Sequence, residues 1–393
     1  MSFNFYFNGI LAFALILFPF FYPKVISDIN SKSITNRTLL LGLLFCITAI
    51  SKPLDISDMS NIMTELSTTS TDIGSKFFIL YPITSLDVFA ITKLQIISFL
   101  SFFIIFIGLN IHLKSFEVNQ MSYSLFVFSI YPLYTFHYRQ FLSFSLVFLF
   151  LATYYRLTYS SVTNNRLYLR LCLLILPVFI YFTHPIYLVT IAIILVSSFL
   201  RCLSSRFRFN GKDLYIIFYK LKTKITYPLL LSLVLLLAFL PFAYNIYSTL
   251  LKSFLPSHAI YSEWALASVP LSKLLIGIVK SFLLFSPLII FARSFRPFSV
   301  SDTSSFFLRR SFWISLNYVV SVSFAISIFI PIFAYFTKLY SVDRIGSAVY
   351  PLLILLPYNK AFGFMVNCDS SRLYSSLLLL LIAFKSFSYA YLR

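Results

Sequence analysis

Charged residues are scarce in this chain of 393 residues: they make up 11% of it, whereas hydrophobic residues make up 59%. A soluble globular domain typically has about 25% charged residues, so the composition excludes an ordinary soluble domain. Glycine occurs only 8 times. The sequence also lacks a phosphate-cradling glycine loop, a zinc-binding helix signature and a nucleophile elbow. These absences leave nucleotide hydrolysis and a covalent serine mechanism without support.

Cysteine is also rare, with 4 residues in the chain. Cys46 and Cys172 lie in apolar blocks, and Cys202 and Cys368 lie in basic segments. Small disulfide scaffolds have a much denser cysteine pattern. The sequence therefore predicts no disulfide framework.

Long apolar blocks dominate what remains. Most have roughly the length of a membrane-spanning helix, and none shows the alternating pattern of a membrane β-strand. The blocks lie near residues 6–22, 38–50, 94–112, 121–136, 140–155, 167–183, 185–200, 227–247, 274–291, 313–337, 345–358 and 374–391. They predict an all-α, polytopic membrane bundle of about 12 transmembrane helices, forming a single integral membrane domain over residues 1–393. The first block is predicted to be a retained span, because no basic flank precedes it.

The formal net charge of +19 would suggest a nucleic-acid partner in a soluble protein, but here its distribution favours anionic lipid. The most basic segment, 201–226, has Asp213 as its only acid. Because Lys and Arg remain in cytoplasmic loops, this segment is predicted to be cytoplasmic. Alternation of spans then makes 51–93 and 248–273 outer loops, and places both termini outside. We expect membrane lipid as a partner and no nucleic acid.

Two arginines fall on the predicted outer side, so the tendency of Lys and Arg to remain in cytoplasmic loops does not explain their positions. Arg139 stands between two apolar blocks, and Arg344 stands at the end of another. A guanidinium group is always charged, and its forked donors match phosphate oxygens. The pair predicts a site for a lipid-linked diphosphate; the alternative is that both side chains snorkel to the interface. Asp343 is not expected to occupy Arg344, because neighbours on a helix point in different directions.

A histidine and an aromatic segment lie on the same predicted side. His184, before Pro185, stands at a turn between two spans, and its neutral ring could accept a proton from a sugar hydroxyl; the alternative is a structural hydrogen bond to a carbonyl. The segment 248–273 is predicted to be a lid in which Tyr261 and Trp264 stack on sugar rings, or else an interfacial anchor.

Three further groups complete the predicted polar positions. Lys280 lies inside an apolar block, and an intramembrane charge usually faces the bundle interior or a watery cavity. Asp55 and Asp58 could hold a divalent cation, but two carboxylates alone are weak evidence. The sequence predicts no metal and no cofactor.

The stretch from Tyr131 to Thr190 resembles the membrane polysaccharide polymerases of the EpsG and Wzy type. Arg139-Gln140 matches their Arg-Gln pair at the end of a span, and His184 matches the histidine that heads a later outer-facing helix. Ser143 stands where the family usually has alanine. The early acidic loop at Asp55 and Asp58, and Asp343-Arg344 followed by Tyr350, are similar to further family patterns.

The resemblance implies a glycosyltransferase-type polymerase at the outer face of a bacterial inner membrane. It would join undecaprenyl-diphosphate-linked oligosaccharide repeat units into O-antigen or capsular polysaccharide, with lipid diphosphate as leaving group. Arg139 and Arg344 would bind the diphosphate, and His184 or Glu263 would take the acceptor proton. The substrate would be lined by Gln140, His137, Tyr261, Trp264, Asp343 and Lys280. A chain-length regulator in the same membrane is a further partner that the resemblance implies.

Two other functions compete with polymerisation. A multi-span lipid-phosphate-sugar glycosyltransferase would use an outer-loop acid such as Asp55 or Asp58 as its base. A flippase or exporter of the lipid-linked unit would also suit about twelve spans, but such proteins usually carry charges along a central cavity. Here the charges gather at span ends.

Overall fold

The fold is taken from a computed structural model of the full chain. The structure describes residues 14–18, 59–67, 80–113, 123–130, 138–159, 166–206, 271–294, 322–332, 348–354 and 376–380, together with the single positions 10, 21, 24, 249, 319 and 335. Within these ranges the chain is almost entirely helical and forms no strand. The prediction of an all-α fold is confirmed for this part of the chain, whereas the bundle of twelve spans is not.

The chain divides into two compact units, one made of residues 1–188 and 350–393 and the other of residues 189–349. The helices that the structure describes in the first unit include, in chain order, α1 (Met59–Ser67), α2 (Tyr81–Thr84), α3 (Ala90–Leu113), α4 (Tyr138–Tyr159), α5 (Arg166–Thr183) and α8 (Tyr350–Ile354). A 3-10 turn, Pro185–Tyr187, follows α5, and residues 123–130 are also helical.

Helix α4 forms the core of the first unit. Most of its described side chains are buried, including the rings of Phe141, Phe144 and Phe148. A spanning helix that is apolar on every side can be surrounded by other helices, and α3, α5 and α8 all pack against this one. The first unit is therefore built around the helix that carries Arg139.

Helices α3 and α4 run side by side in the same direction. The ring of Phe102 meets that of Phe141 edge-on, with centroids 5.0 Å apart. Further along both helices, Gly108 faces Phe148, and a Cβ atom added at Gly108 would lie 2.8 Å from a carbon of that ring. The absence of a side chain at Gly108 thus sets the close approach of the two helices.

Two described helices, Ala90–Leu113 and Tyr138–Thr158, are long and apolar enough to cross a membrane. The first of them exposes one stripe of large apolar side chains, which includes Phe99, Phe103 and Ile107. Helix α5 exposes a similar stripe, with Leu167, Leu171, Leu174, Ile175 and Val178 at helical spacing. Exposed apolar surfaces of this extent are unusual on soluble monomers, and they are the surfaces expected of helices that face lipid.

The predicted outer loop 51–93 contains regular structure, because α1 and α2 both lie in it. Helix α3 also begins four residues earlier than the predicted span at 94, so Lys93 belongs to its first turn. Lys93 is 5% exposed rather than lying in a solvated loop. Lys93 can be buried because its ammonium group donates hydrogen bonds to backbone carbonyl groups of two other helices.

The second unit contains α7 (Leu271–Ser294), the helical residues 322–332 and most of α6 (Leu188–Arg206). Small residues bring α7 close to 322–332: a Cβ atom at Gly277 would lie 2.7 Å from the Pro331 ring. Ser281 lies one turn after Gly277, and Ser327 lies one turn before Pro331. The Ser327 hydroxyl donates to Ser281 Oγ at 2.6 Å, and Ser281 Oγ donates to the Ser327 carbonyl at 2.8 Å. Small residues and interhelical hydroxyl contacts of this kind are common where helices associate in a membrane.

Candidate functional site

Arg139 occupies the first turn of α4, directly after Tyr138, and is half-buried. No acidic residue lies in this turn. The positive end of the helix dipole lies here, and the first backbone N–H groups of a helix have no intrahelical acceptor. The turn therefore combines a guanidinium group with a helix terminus that favours anions. Gln140, the next residue, is buried.

His184 stands at a corner between α5 and the 3-10 turn. Its backbone is extended, with φ −163° and ψ 103°, as expected for a residue that precedes proline. The helix before it is closed by hydrogen bonds: His184 N–H donates to the Ile180 carbonyl at 2.9 Å, and Thr183 Oγ1 donates to the Phe179 carbonyl at 2.7 Å. Pro185 opens the 3-10 turn that follows, a position that suits proline because its φ is fixed and it has no N–H to donate.

A hydrogen bond joins the corner to the helix of Arg139. Ser143, one turn after Arg139, donates its hydroxyl to the His184 carbonyl at 3.1 Å. The same carbonyl accepts from Tyr187 N–H at 3.4 Å. Below this contact, the Tyr187 ring meets the Phe144 ring edge-on, with centroids 6.2 Å apart. The start of α4 and the end of α5 are thus held together by a polar contact and an aromatic one.

Arg139 and His184 are both half-buried. Nη1 of Arg139 and Nδ1 of His184 are both buried atoms. Charged and polar groups act more strongly on one another where water is excluded. Arg139 and His184 lie at the same end of the first unit, and this end is therefore a candidate site for a negatively charged group.

The remaining predicted site residues divide into two sets. Lys280 is half-buried in α7 of the second unit, next to the hydrogen-bonded Ser281. The others lie outside the described residues: His137, Tyr261, Glu263, Trp264, Asp343 and Arg344. Their roles stay predictions.

The structure also gives a packing role to Tyr350, which is part of the family resemblance. Tyr350 begins α8, is buried, and meets the Phe128 ring edge-on with centroids 5.9 Å apart. Helix α8 packs against α4. Arg344, six positions before Tyr350 in sequence, lies outside the described residues.

Two contacts at this end of the first unit were not predicted from the sequence. In sequence, Ser143 differs from the alanine that the resembled family usually has there, and Lys93 falls in the predicted outer loop 51–93. The signal for Ser143 was its spacing of one helical turn from Arg139, which puts both residues on one face of α4. Lys93 gave no comparable signal, because its hydrogen-bond acceptors are backbone carbonyl groups.

Comparisons with known proteins add no assignment, since no family model, curated protein or solved structure matches the chain. Among the residues that the structure describes, no group of three or more His, Cys, Asp and Glu side chains is placed to hold a metal ion.

Proposed function

We propose that the protein is a membrane polymerase that joins lipid-diphosphate-linked oligosaccharide repeat units into a polysaccharide at the outer face of a bacterial inner membrane. The observation that carries the proposal is the hydrogen bond from Ser143 to the His184 carbonyl. It holds a histidine corner against the helix turn of Arg139. Chemistry on a sugar diphosphate needs both an anion-binding group and a proton acceptor, and this end of the unit supplies one of each.

In the proposed reaction, the diphosphate of the donor lies against Arg139 at the start of α4. A hydroxyl group of the acceptor unit attacks the anomeric carbon of the donor chain, forming the new glycosidic bond. The bond between that carbon and the diphosphate oxygen breaks, and the lipid diphosphate leaves with the electron pair. His184 accepts the hydroxyl proton.

Arg139 contributes most in this scheme as the leaving group departs, because negative charge then builds on the diphosphate. A fixed guanidinium group, aided by the helix terminus, stabilises that charge. Arg344 is proposed as a second diphosphate ligand, Glu263 as the alternative proton acceptor, and Tyr261 and Trp264 as the sugar path.

Deletion of the gene tests the proposal against both rivals. Loss of a polymerase leaves surface lipopolysaccharide with a single repeat unit, because assembly and export of that unit continue. Loss of a flippase leaves no repeat unit, and loss of a glycosyltransferase leaves a unit with a missing or altered sugar. We expect the single-unit product on gel electrophoresis, restored to a ladder by the wild-type gene. An unchanged ladder in the deletion strain contradicts the proposal.

A further inference from the structure

Lys93 is a buried lysine whose ammonium group connects two other helices. Its Nζ atom donates to the Leu66 carbonyl at 3.1 Å and to the Thr84 carbonyl at 2.5 Å. Leu66 is the penultimate residue of α1, and Thr84 is the last residue of α2. A single side chain at the start of α3 thus binds the carboxyl ends of both helices.

Helix ends explain why an ammonium group is suited to this position. The last carbonyl groups of a helix have no intrahelical donor, and they form the negative end of its dipole. In α2 the other three carbonyl groups, those of Tyr81, Pro82 and Ile83, accept from Ser85 N–H, Ser85 Oγ and Leu86 N–H. The Thr84 carbonyl is left for Lys93, so that removal of the ammonium group takes away its donor.

The helices bound by Lys93 pack on α3 and share an apolar cluster with the start of α4, where Arg139 lies. One apolar cluster, which we name the Leu66 cluster, contains side chains from α1, the start of α2, α3 and α4: Leu66, Leu80, Leu94, Ile97, Tyr138 and Leu142. Tyr138 directly precedes Arg139, and Leu142 directly precedes Ser143. The Leu66 carbonyl therefore accepts from Lys93, and the Leu66 side chain belongs to the cluster that also contains Tyr138 and Leu142 of α4.

We propose that Lys93 is a positioning residue, which acts through α1, α2 and the Leu66 cluster to fix the first turn of α4 and with it Arg139. The link from Lys93 to the first turn of α4 does not depend on what the protein does. The effect of this link on binding and reaction of a lipid-linked donor rests on the proposed function. The competing interpretation is a local one, in which Lys93 ties α1 and α2 to α3 and the turn at Arg139 is held by other contacts.

Thiol labelling separates the two interpretations without any assay of activity. The background is a full-length chain with its 4 native cysteines replaced by serine, in which single cysteines are introduced at three buried positions: Leu66, Gln140 and Val147. The first reports on the Leu66 cluster, the second on the turn of Arg139, and the third is a control two turns further along α4. Each is compared with Lys93 intact and with Lys93→Met.

We expect Lys93→Met to raise the labelling rates of Leu66→Cys and Gln140→Cys by about tenfold or more, through local opening, and to leave Val147→Cys protected. Lys93→Arg, which keeps a charged donor, should restore most of the protection. If Leu66→Cys reacts faster while Gln140→Cys does not, Lys93 acts only locally and the proposal is wrong. It is equally wrong if both remain protected.

A second variant covers the case in which Lys93→Met opens the whole unit and exposes Val147→Cys as well. Leu80→Ala weakens the Leu66 cluster but keeps the ammonium group and both of its acceptors. It should raise the labelling rate of Gln140→Cys and leave Val147→Cys protected. If Gln140→Cys stays protected in this variant, the cluster does not control the turn of Arg139 and the proposal fails.

Kinetics of purified protein then connects the position of Arg139 with the proposed function. Because Lys93 acts through the position of Arg139, which stabilises the departing diphosphate, Lys93→Met should lower kcat/KM for the lipid-linked donor about tenfold, with a fall in kcat. If labelling changes as expected but the variants and the wild type all lack polymerase activity, the positioning role stands and the proposed function fails. If polymerase activity is present but its kcat and kcat/KM are unchanged, the positioning role has no functional consequence.

Discussion

Arg139→Ala is expected to lower the rate of polymerisation by about a hundredfold or more, with normal amounts of protein in the membrane. Loss of one preorganised donor to a developing negative charge typically costs a factor of this size. Arg139 stands in the first turn of α4 next to the His184 corner, so its removal should affect bond cleavage rather than folding. Arg139→Lys should keep part of the activity, because lysine keeps the charge but loses the fork of donors.

The chain offers a matched control in Arg156, which lies in the same helix and is also half-buried. Its position near the opposite end of α4 places it about 25 Å from Arg139 by helical rise. Arg156→Ala should leave the polysaccharide ladder unchanged when protein levels are equal. A full ladder from Arg139→Ala, or an equal loss from Arg156→Ala, removes Arg139 from the proposed mechanism.

Gly108→Leu is expected to destabilise the first unit by about 1–3 kcal/mol and to reduce the amount of folded protein. Any Cβ atom at this position lies 2.8 Å from a carbon of the Phe148 ring and 3.3 Å from the Leu149 Cα atom. The ring cannot easily move, because it is buried and stacks against Phe144. Helices α3 and α4 must therefore separate, which disturbs the packing below Arg139.

Thermal unfolding of detergent-purified protein measures this effect. Ile107→Leu is the matched control, because Ile107 is adjacent in sequence but lies on the exposed apolar face of α3; its unfolding temperature should stay close to that of the wild type. Gly108→Ala should have an intermediate effect, since its single methyl group requires a smaller shift. Equal unfolding temperatures for Gly108→Leu and the wild type contradict the close helix contact.

The main helices could be predicted from the sequence because their apolar blocks are long and uninterrupted. The blocks at 140–155 and 167–183 correspond to helices Tyr138–Tyr159 and Arg166–Thr183. The corner at His184 also followed from local chemistry, because proline disfavours helix at the preceding residue and opens the next helical segment. These features depend on residues close together in the chain.

The start of α3 and the two helices of the outer loop were harder to predict. A lysine next to an apolar block usually marks the end of a span, and a charge can be buried only when nearby groups satisfy it. For Lys93 those groups are the carbonyls of Leu66 and Thr84, and every residue type has a carbonyl. Residue types alone therefore contain no sign of this contact.

The residue types of the candidate site could be predicted from the sequence, but the contacts that hold its residues in place could not. Arg139 and His184 were selected by charge, by chemistry and by their positions at span ends. The hydrogen bond that links the helix of Arg139 to the His184 corner runs from Ser143 to the His184 carbonyl, 41 residues apart in sequence. Its existence depends on the register between α4 and α5, which apolar patterns leave open by several residues.

Binding of the lipid diphosphate itself is the most direct test of the central claim, that the turn of Arg139 and the His184 corner form one anion-binding catalytic site. Undecaprenyl diphosphate is titrated into lipid nanodiscs that contain the wild type, Arg139→Gln or His184→Gln. We expect Arg139→Gln to weaken binding by about tenfold to a hundredfold, and His184→Gln to bind nearly as tightly as the wild type while polymerising poorly. Equal affinity in all three proteins contradicts the claim, because the diphosphate then binds without Arg139.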